Sequence, residues 1–184
     1  MAYANLIELF RAFPDASKPL IEYHEMVLRG PSPFSDAERE MIAGFVSTLN
    51  GCGYCTSVHV AAAENLGTPA GQIARLATDP VLAEADTRMR PILHYARKLT
   101  ERPASVTQED VDAITAAGWE SSALFYLASV TALFNFMNRL VEGMRIHMDP
   151  VYAPMAAKRL AEHGYLPLLD LIRKQGEPRS IPKS

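Results

Sequence analysis

Apolar residues recur every three or four positions along most of this chain, the spacing that lines one face of an α-helix. Met41, Ile42, Phe45, Val46 and Leu49 show it most clearly. They follow Ser35-Asp-Ala-Glu38, a capping-box start, and end at Asn50-Gly51, a helix breaker. A second helix is predicted from Cys52 or Gly53 to Leu66, with Gly67 as its stop. Similar signals predict helices over 4–13 and 19–29, the latter with Pro19 in its first turn and Gly30 just past its end. Thr68-Pro69 opens a short helix. Others are expected at 84–101, at 108–117 between Thr107 and Gly118, at 120–147, and near Pro154 and Pro167. No segment alternates with the period of two that a strand needs. The pattern predicts an all-α fold of about ten helices packed face to face.

One stretch raises the question of a membrane. Residues 121–138 carry no charge, which is borderline for a span. Ser121, Ser122, Ser129, Thr131, Asn135 and Asn138 interrupt it, and a lipid-facing helix rarely carries so many polar groups. The expectation is a helix buried in protein. The N-terminal stretch has no basic segment and places Glu8 among its apolar residues, unlike a secretory leader. With 184 residues, 48% hydrophobic and 21% charged, the chain has globular composition and room for one domain, 1–184. A net charge of −3 argues against nucleic acid or an anionic membrane as partner, since both require a basic face. A soluble cytoplasmic protein is expected, in a compartment where thiols stay reduced unless they are at work. Residues 176–184 have the composition of an unstructured tail. Such a tail is expected to order by docking on a neighbouring subunit.

The two cysteines, Cys52 and Cys55, lie too close together to staple a chain of this size. Three apart on a helix they share a face, within the separation a disulfide tolerates. A cysteine at a helix start meets free N–H groups and the positive end of the helix dipole, which favour thiolate. Gly51 and Gly53 leave the approach to Cys52 uncrowded. His59 follows Cys55 by one turn, so its ring can reach the Cys55 sulfur and accept its proton. Glu40, on the preceding helix, sits beside Gly44 and Ser47, where small residues let the next helix come close. Its carboxylate is the candidate to orient the His59 ring. Glu38 is accounted for by the capping box. The dipole favours Cys52 as the attacking thiol and the histidine favours Cys55.

Other readings of the same residues are weaker. A thioredoxin-like CxxC follows a strand, and none precedes Cys52. Zinc would have Cys52, Cys55 and His59 as ligands but finds no fourth nearby, so no metal is expected. A disulfide closing so short a loop adds only about 2 kcal/mol. Thr131, Asn135, Asn138 and Glu142 form a polar stripe on the long apolar helix. It reads as satisfied hydrogen bonds in the core or an interface rather than a cleft lining. Arg139 is expected to ion-pair with a neighbour. His94 and His147 read as surface or structural residues, and the methionines as core filler.

The run from Glu40 through Ser47, Asn50, Gly51, Cys52 and Cys55 to His59 resembles the signature of the alkylhydroperoxidase D / carboxymuconolactone decarboxylase superfamily. The convincing similarity spans 35–66. Phe134, Asn135, Asn138 and Arg139 resemble its peroxidase-related branch. The resemblance implies an all-α homo-oligomer that reduces hydroperoxides with thiols and needs no cofactor. It implies a redox pair at Cys52 and Cys55, a proton relay at His59 and Glu40, and an external dithiol or thiol-protein reductant. Tyr54 stands where alkylhydroperoxidase D commonly has a histidine, and a phenol cannot serve as a base at neutral pH. The decarboxylase branch generally lacks the cysteine pair. A redox sensor or assembly module, and a carboxymuconolactone decarboxylase-like enzyme, are the alternative functions.

Overall fold

A computed structural model describes residues 3–78, 86–147, 149 and 151–173. Among them are ten α-helices and no strand: α1 (Leu6–Ala12), α2 (Pro14–Leu28), α3 (Asp36–Leu49), α4 (Gly53–Asn65), α5 (Gln72–Ala77), α6 (Arg90–Glu101), α7 (Gln108–Ala116), α8 (Ser122–Gly143), α9 (Tyr152–His163) and α10 (Pro167–Ile172). A 3₁₀ turn at Pro103–Ser105 links α6 to α7. The expected all-α fold is the observed one. The tail 176–184 lies outside the described residues.

Local chemistry explains most boundaries. Ser35 and Glu38 form the expected capping box, with Ser35 N donating to Glu38 Oε2 at 2.7 Å and Glu38 N donating to Ser35 Oγ at 3.3 Å. After α3 the chain turns through Gly51 at φ +69°, a left-handed conformation that glycine adopts without penalty. Cys52 then becomes the N-cap residue of α4.

Several boundaries differ from expectation, four of them for clear local reasons. The second helix starts at Pro14 and encloses Pro19, whose missing N–H would have bonded the carbonyl of exposed Asp15, where water can replace it. The sixth starts at Arg90, not near 84. Pro91 fits the first turn but would break a helix begun six residues earlier, and Asp86 closes the turn before it, accepting from Arg88 N at its carboxylate and from Arg90 N at its carbonyl. The long helix ends at Gly143, four residues early. Arg145 turns left-handed at φ +54° and Ile146 N bonds back to Val141 O, a Schellman-type stop. The ninth begins at Tyr152, two residues before Pro154. Asp149 organises this start, its carbonyl accepting from Tyr152 N.

Helix α8 is the spine of the core. It is long and apolar enough to cross a membrane, yet half of its most apolar window is buried in the protein. Its inner face carries Leu127, Val130, Phe134, Met137 and Val141, packed against α3, α6, α2 and α4. Each such side chain contributes roughly 1.5–3 kcal/mol by leaving water. The methionines do not all fill core: Met89 and Met137 are buried, but Met26 and Met155 are exposed.

The most extensive helix contact is α3 against α4. Gly44 makes it possible, because a Cβ there would stand 3.2 Å from the Val60 backbone nitrogen and 3.4 Å from the His59 carbonyl carbon. The close approach faces Glu40 towards His59. Gly44→Val should push the helices apart and cost about 1–3 kcal/mol. Urea unfolding would show the loss, and an unchanged midpoint would mean the helices are free to slide.

Candidate active site

The candidate residues hang from the start of α4. Cys52 is its N-cap, Cys55 lies in the first turn, and His59 sits one turn on. Both cysteines are free thiols and both are buried. Their surroundings differ. A cavity of about 330 Å³ has Tyr54, Cys55, Val58 and His59 in its wall, and Cys52 is not part of that wall. The cavity lies between α4, α9 and α8, closed by residues of α1, α2 and α10. Gly51 and Gly53 are exposed beside Cys52, with nothing within 4 Å of where a Cβ would be.

Behind His59 stands Glu40, fully buried. His59 Nδ1 donates to Glu40 Oε2 at 2.7 Å. The other carboxylate oxygen, Oε1, accepts from the Arg29 guanidinium at 2.6 Å and from the Tyr165 hydroxyl at 2.8 Å. Burial alone would push the Glu40 carboxyl up. His59 and Arg29, through charge and hydrogen bonds, outweigh it and hold the carboxyl at about 2. Glu40 is therefore an acceptor at neutral pH, which places the Nδ1 proton on His59 and leaves Nε2 as the basic nitrogen. The ring packs edge-on against Phe134 with centroids 4.4 Å apart. The Arg29 guanidinium, opposed by burial, is held above its ordinary value by Glu40 and Tyr165, and it lies over the Tyr165 ring. Burial, then Glu40, raises the Tyr165 phenol well above its ordinary value.

The two thiols are driven apart. A hydrogen bond from Cys52 favours the Cys55 thiolate. Burial opposes this, while His59 and the Asn138 amide add to it, and the net shift is downward. Cys52 moves up, chiefly because it gives that hydrogen bond, then through burial. Tyr54 is also pushed up, by burial and then by Tyr152, so its hydroxyl keeps its proton at neutral pH.

Asn138 belongs to a wider amide network. It donates to Ser47 Oγ at 3.0 Å and accepts from Asn50 Nδ2 at 2.9 Å. Asn135 accepts from Asn50 and donates to Thr100. The polar stripe of α8 thus ties α3 to α8 through satisfied hydrogen bonds, although the buried Thr131 hydroxyl has no partner and Glu142 is exposed. Arg139 forms no ion pair among the described residues and instead donates to the carbonyl and side-chain oxygens of Asn135. His94 and His147 are exposed. Among the described residues no three His, Cys, Asp or Glu side chains converge as metal ligands.

His24 is buried beside this centre, its Nδ1 2.7 Å from Leu20 O and its ring against Phe134 and Tyr165. Burial above all, with His59 adding, lowers it to about 4. The unfolded chain then binds a proton more readily than the folded one between the ordinary histidine value and about 4. Stability is therefore present above that window and lost as pH falls through it. The loss between pH 6.5 and pH 5 should be about 2 kcal/mol. Glu40 titrates lower and does not share the window. Denaturant midpoints at the two pH values, for the native chain and His24→Gln, should show the slope only in the former.

Several of these residues carry no signal in the sequence. Arg29 stands at a helix end, and Tyr165 is 125 positions from Glu40. A carboxylate on a small-residue helix face does imply burial, and burial demands more than one partner. That is the one clue the chain offers.

Comparison with known proteins extends the picture. Residues 14–98 match the carboxymuconolactone decarboxylase family. A peroxidase-related protein from Silicibacter sp. TM1040 is similar in structure, with 26% identity and a TM-score of 0.74 over 80% of this chain and 78% of that one. A peroxidase-related protein from Ralstonia eutropha JMP134, described as an alkylhydroperoxidase core, has 22% identity and a TM-score of 0.73 over 82% of this chain and 78% of that one. The same fold occurs in a debrominase, 20% identical with a TM-score of 0.66, covering 91% of this chain and 82% of that one. No curated protein matches the chain. The all-α fold of this chain is thus shared with these neighbours, and the family match covers a little under half of it.

Proposed function

We propose that this protein is a thiol-dependent peroxidase that reduces organic hydroperoxides with Cys52 and Cys55. The observation that carries the reading is the cavity, whose wall holds Cys55 and His59 together while Glu40 backs the histidine from behind. His59 Nε2 takes the Cys55 proton. The thiolate attacks the terminal peroxide oxygen, the O–O bond breaks, and the histidine returns the proton to the departing alkoxide. Cys55 is now a sulfenic acid. The Cys52 sulfur attacks it, water leaves, and the Cys52–Cys55 disulfide forms. An external dithiol or thiol protein supplies the two electrons that restore both thiols. The sum is one hydroperoxide and one dithiol converted to an alcohol, water and a disulfide. The chemistry needs no cofactor and suits the reducing cytoplasm.

The test is steady-state turnover of cumene or tert-butyl hydroperoxide with dithiothreitol, with thiols counted before and after. Sustained turnover supports the peroxidase. One oxidation that then stops would identify a redox sensor, and decarboxylation of a lactone acid by a chain lacking both cysteines would identify the decarboxylase reading.

The working form is a homo-oligomer. Helix α8 leaves Phe125 65% and Phe136 52% exposed, with exposed Ala132 between them on the same face. A soluble monomer rarely presents such a stripe. Light scattering at micromolar concentration should give a mass above 20.3 kDa. A monomer mass would remove this part of the proposal.

A further inference from the structure

Among the described residues, the cavity over Cys55 has one arginine or lysine in its wall. Arg159 lies on α9, two turns beyond Tyr152, which lines the same cavity. It is half-buried, and among the described residues no carboxylate, carbonyl or other acceptor partners it. The other arginines nearby are engaged: Arg29 is held by Glu40, and Arg11 donates to Leu171 O. Neighbouring acids are spoken for as well. Glu162 faces Lys158 and His163, and Glu25 accepts from Tyr165 N. Most of the remaining wall is hydrocarbon, from residues such as Leu6, Phe10, Val58, Met137, Leu168 and Leu171.

An apolar cavity with a thiol in its wall and one unpaired guanidinium suits one kind of molecule. It is an aliphatic chain with a carboxylate. Guanidinium binds carboxylate through paired, charge-assisted hydrogen bonds, and the partly desolvated setting strengthens them. At about 30 Å³ for each water-sized unit, 330 Å³ holds on the order of ten non-hydrogen atoms. Arg159 also lies outside residues 14–98, so the family match does not account for it.

We propose that Arg159 makes this cavity a site for a medium-chain carboxylate, and hence that the hydroperoxide reduced here is an aliphatic hydroperoxy acid. The carboxylate sits on Arg159, and the chain lies along the apolar wall and carries the peroxide to Cys55. The substrate assignment rests on the peroxidase reading. The carboxylate site does not.

The experiment separates the two. In the first arm, octanoate is added to the reduced Cys52→Ser chain and alkylation of Cys55 by iodoacetamide is timed. Octanoate should slow alkylation about tenfold more than methyl octanoate does, the worth of a charge-assisted hydrogen bond. Arg159→Gln should erase the difference, and Arg159→Lys should retain part of it. In the second arm, the native chain is given 8-hydroperoxyoctanoate or its methyl ester. The acid should have the higher kcat/KM, through KM, and Arg159→Gln should bring the two together. Equal protection by acid and ester, or protection by octanoate that survives Arg159→Gln, overturns the site. Arg159-dependent protection without turnover of either hydroperoxide upholds the site and removes the peroxidase reading instead.

Discussion

Cys55→Ser should lower hydroperoxide turnover by about 10⁴-fold or more, as loss of a nucleophile does elsewhere. Cys52→Ser should leave the first chemical step and remove only the second. The reason is positional. Cys55 faces the cavity, its thiolate is favoured by the Cys52 hydrogen bond, His59 and Asn138, and Cys52 is held as the protonated partner. In Cys52→Ser the sulfenic acid has no resolving sulfur, so excess peroxide should carry it on to sulfinic acid, seen by mass as two added oxygens. Cys55→Ser should gain neither disulfide nor rapid oxygen addition. The reversed pattern would make Cys52 the attacking residue. His59→Ala should slow the first step at pH 7 by about 10²-fold, the usual worth of a general base, with partial recovery towards pH 9 as the thiol ionises unaided.

Glu40→Gln should damage the protein more than the loss of one orienting charge would suggest. For the rate it should be a milder change than His59→Ala, because the imidazole remains. The larger cost falls on stability. Glu40 is the shared anion for His59, Arg29 and the Tyr165 hydroxyl, at the junction of α2, α3, α4 and the chain before α10. Removing the charge strands a buried guanidinium, and breaking a buried pair from one side costs about 3–5 kcal/mol. For a domain of this size that is a fall in Tm of about 10 °C. The acid limb of stability should change too. The Glu40 carboxyl is depressed to about 2 from the usual 4.5, so its contribution is full above the usual value and lost as pH falls towards about 2. Glu40→Gln should lack that limb. Thermal melts at pH 7 and pH 3 would measure both effects. A native Tm in Glu40→Gln would mean that Arg29 finds another partner and that Glu40 serves the histidine alone.

The sequence by itself determined the helical architecture, because its signals act over a few residues. A capping box at Ser35 and Glu38, a break at Asn50-Gly51 and an apolar face through Ile42, Phe45 and Leu49 each specify local geometry without help from distant chain. The same locality put Cys52, Cys55 and His59 on one short stretch, and the small-residue face of α3 singled out Glu40 beside them. Where expectations about boundaries slipped, as at Pro14, Pro91 and Arg145, two local signals competed and the folded context chose between them.

What only the tertiary structure decided is the set of relations between elements far apart in the chain. Which of Cys52 and Cys55 faces the cavity is one. The dipole and the histidine pull in opposite directions along α4, and the difference lies in which sulfur the cavity reaches, a matter of how α8 and α9 pack on that helix. The partners of Glu40 are another. Arg29 and Tyr165 flank it from 11 and 125 positions away, and burial of a carboxylate selects them by geometry and charge rather than by any spacing a sequence displays. Arg159 is the third, an ordinary helix residue in the sequence that becomes, among the described residues, the one arginine or lysine in the cavity wall only through the packing of α9 on α4. Hydrophobic periodicity is a property of neighbours along the chain. Which polar groups meet in the buried interior depends on the fold as a whole.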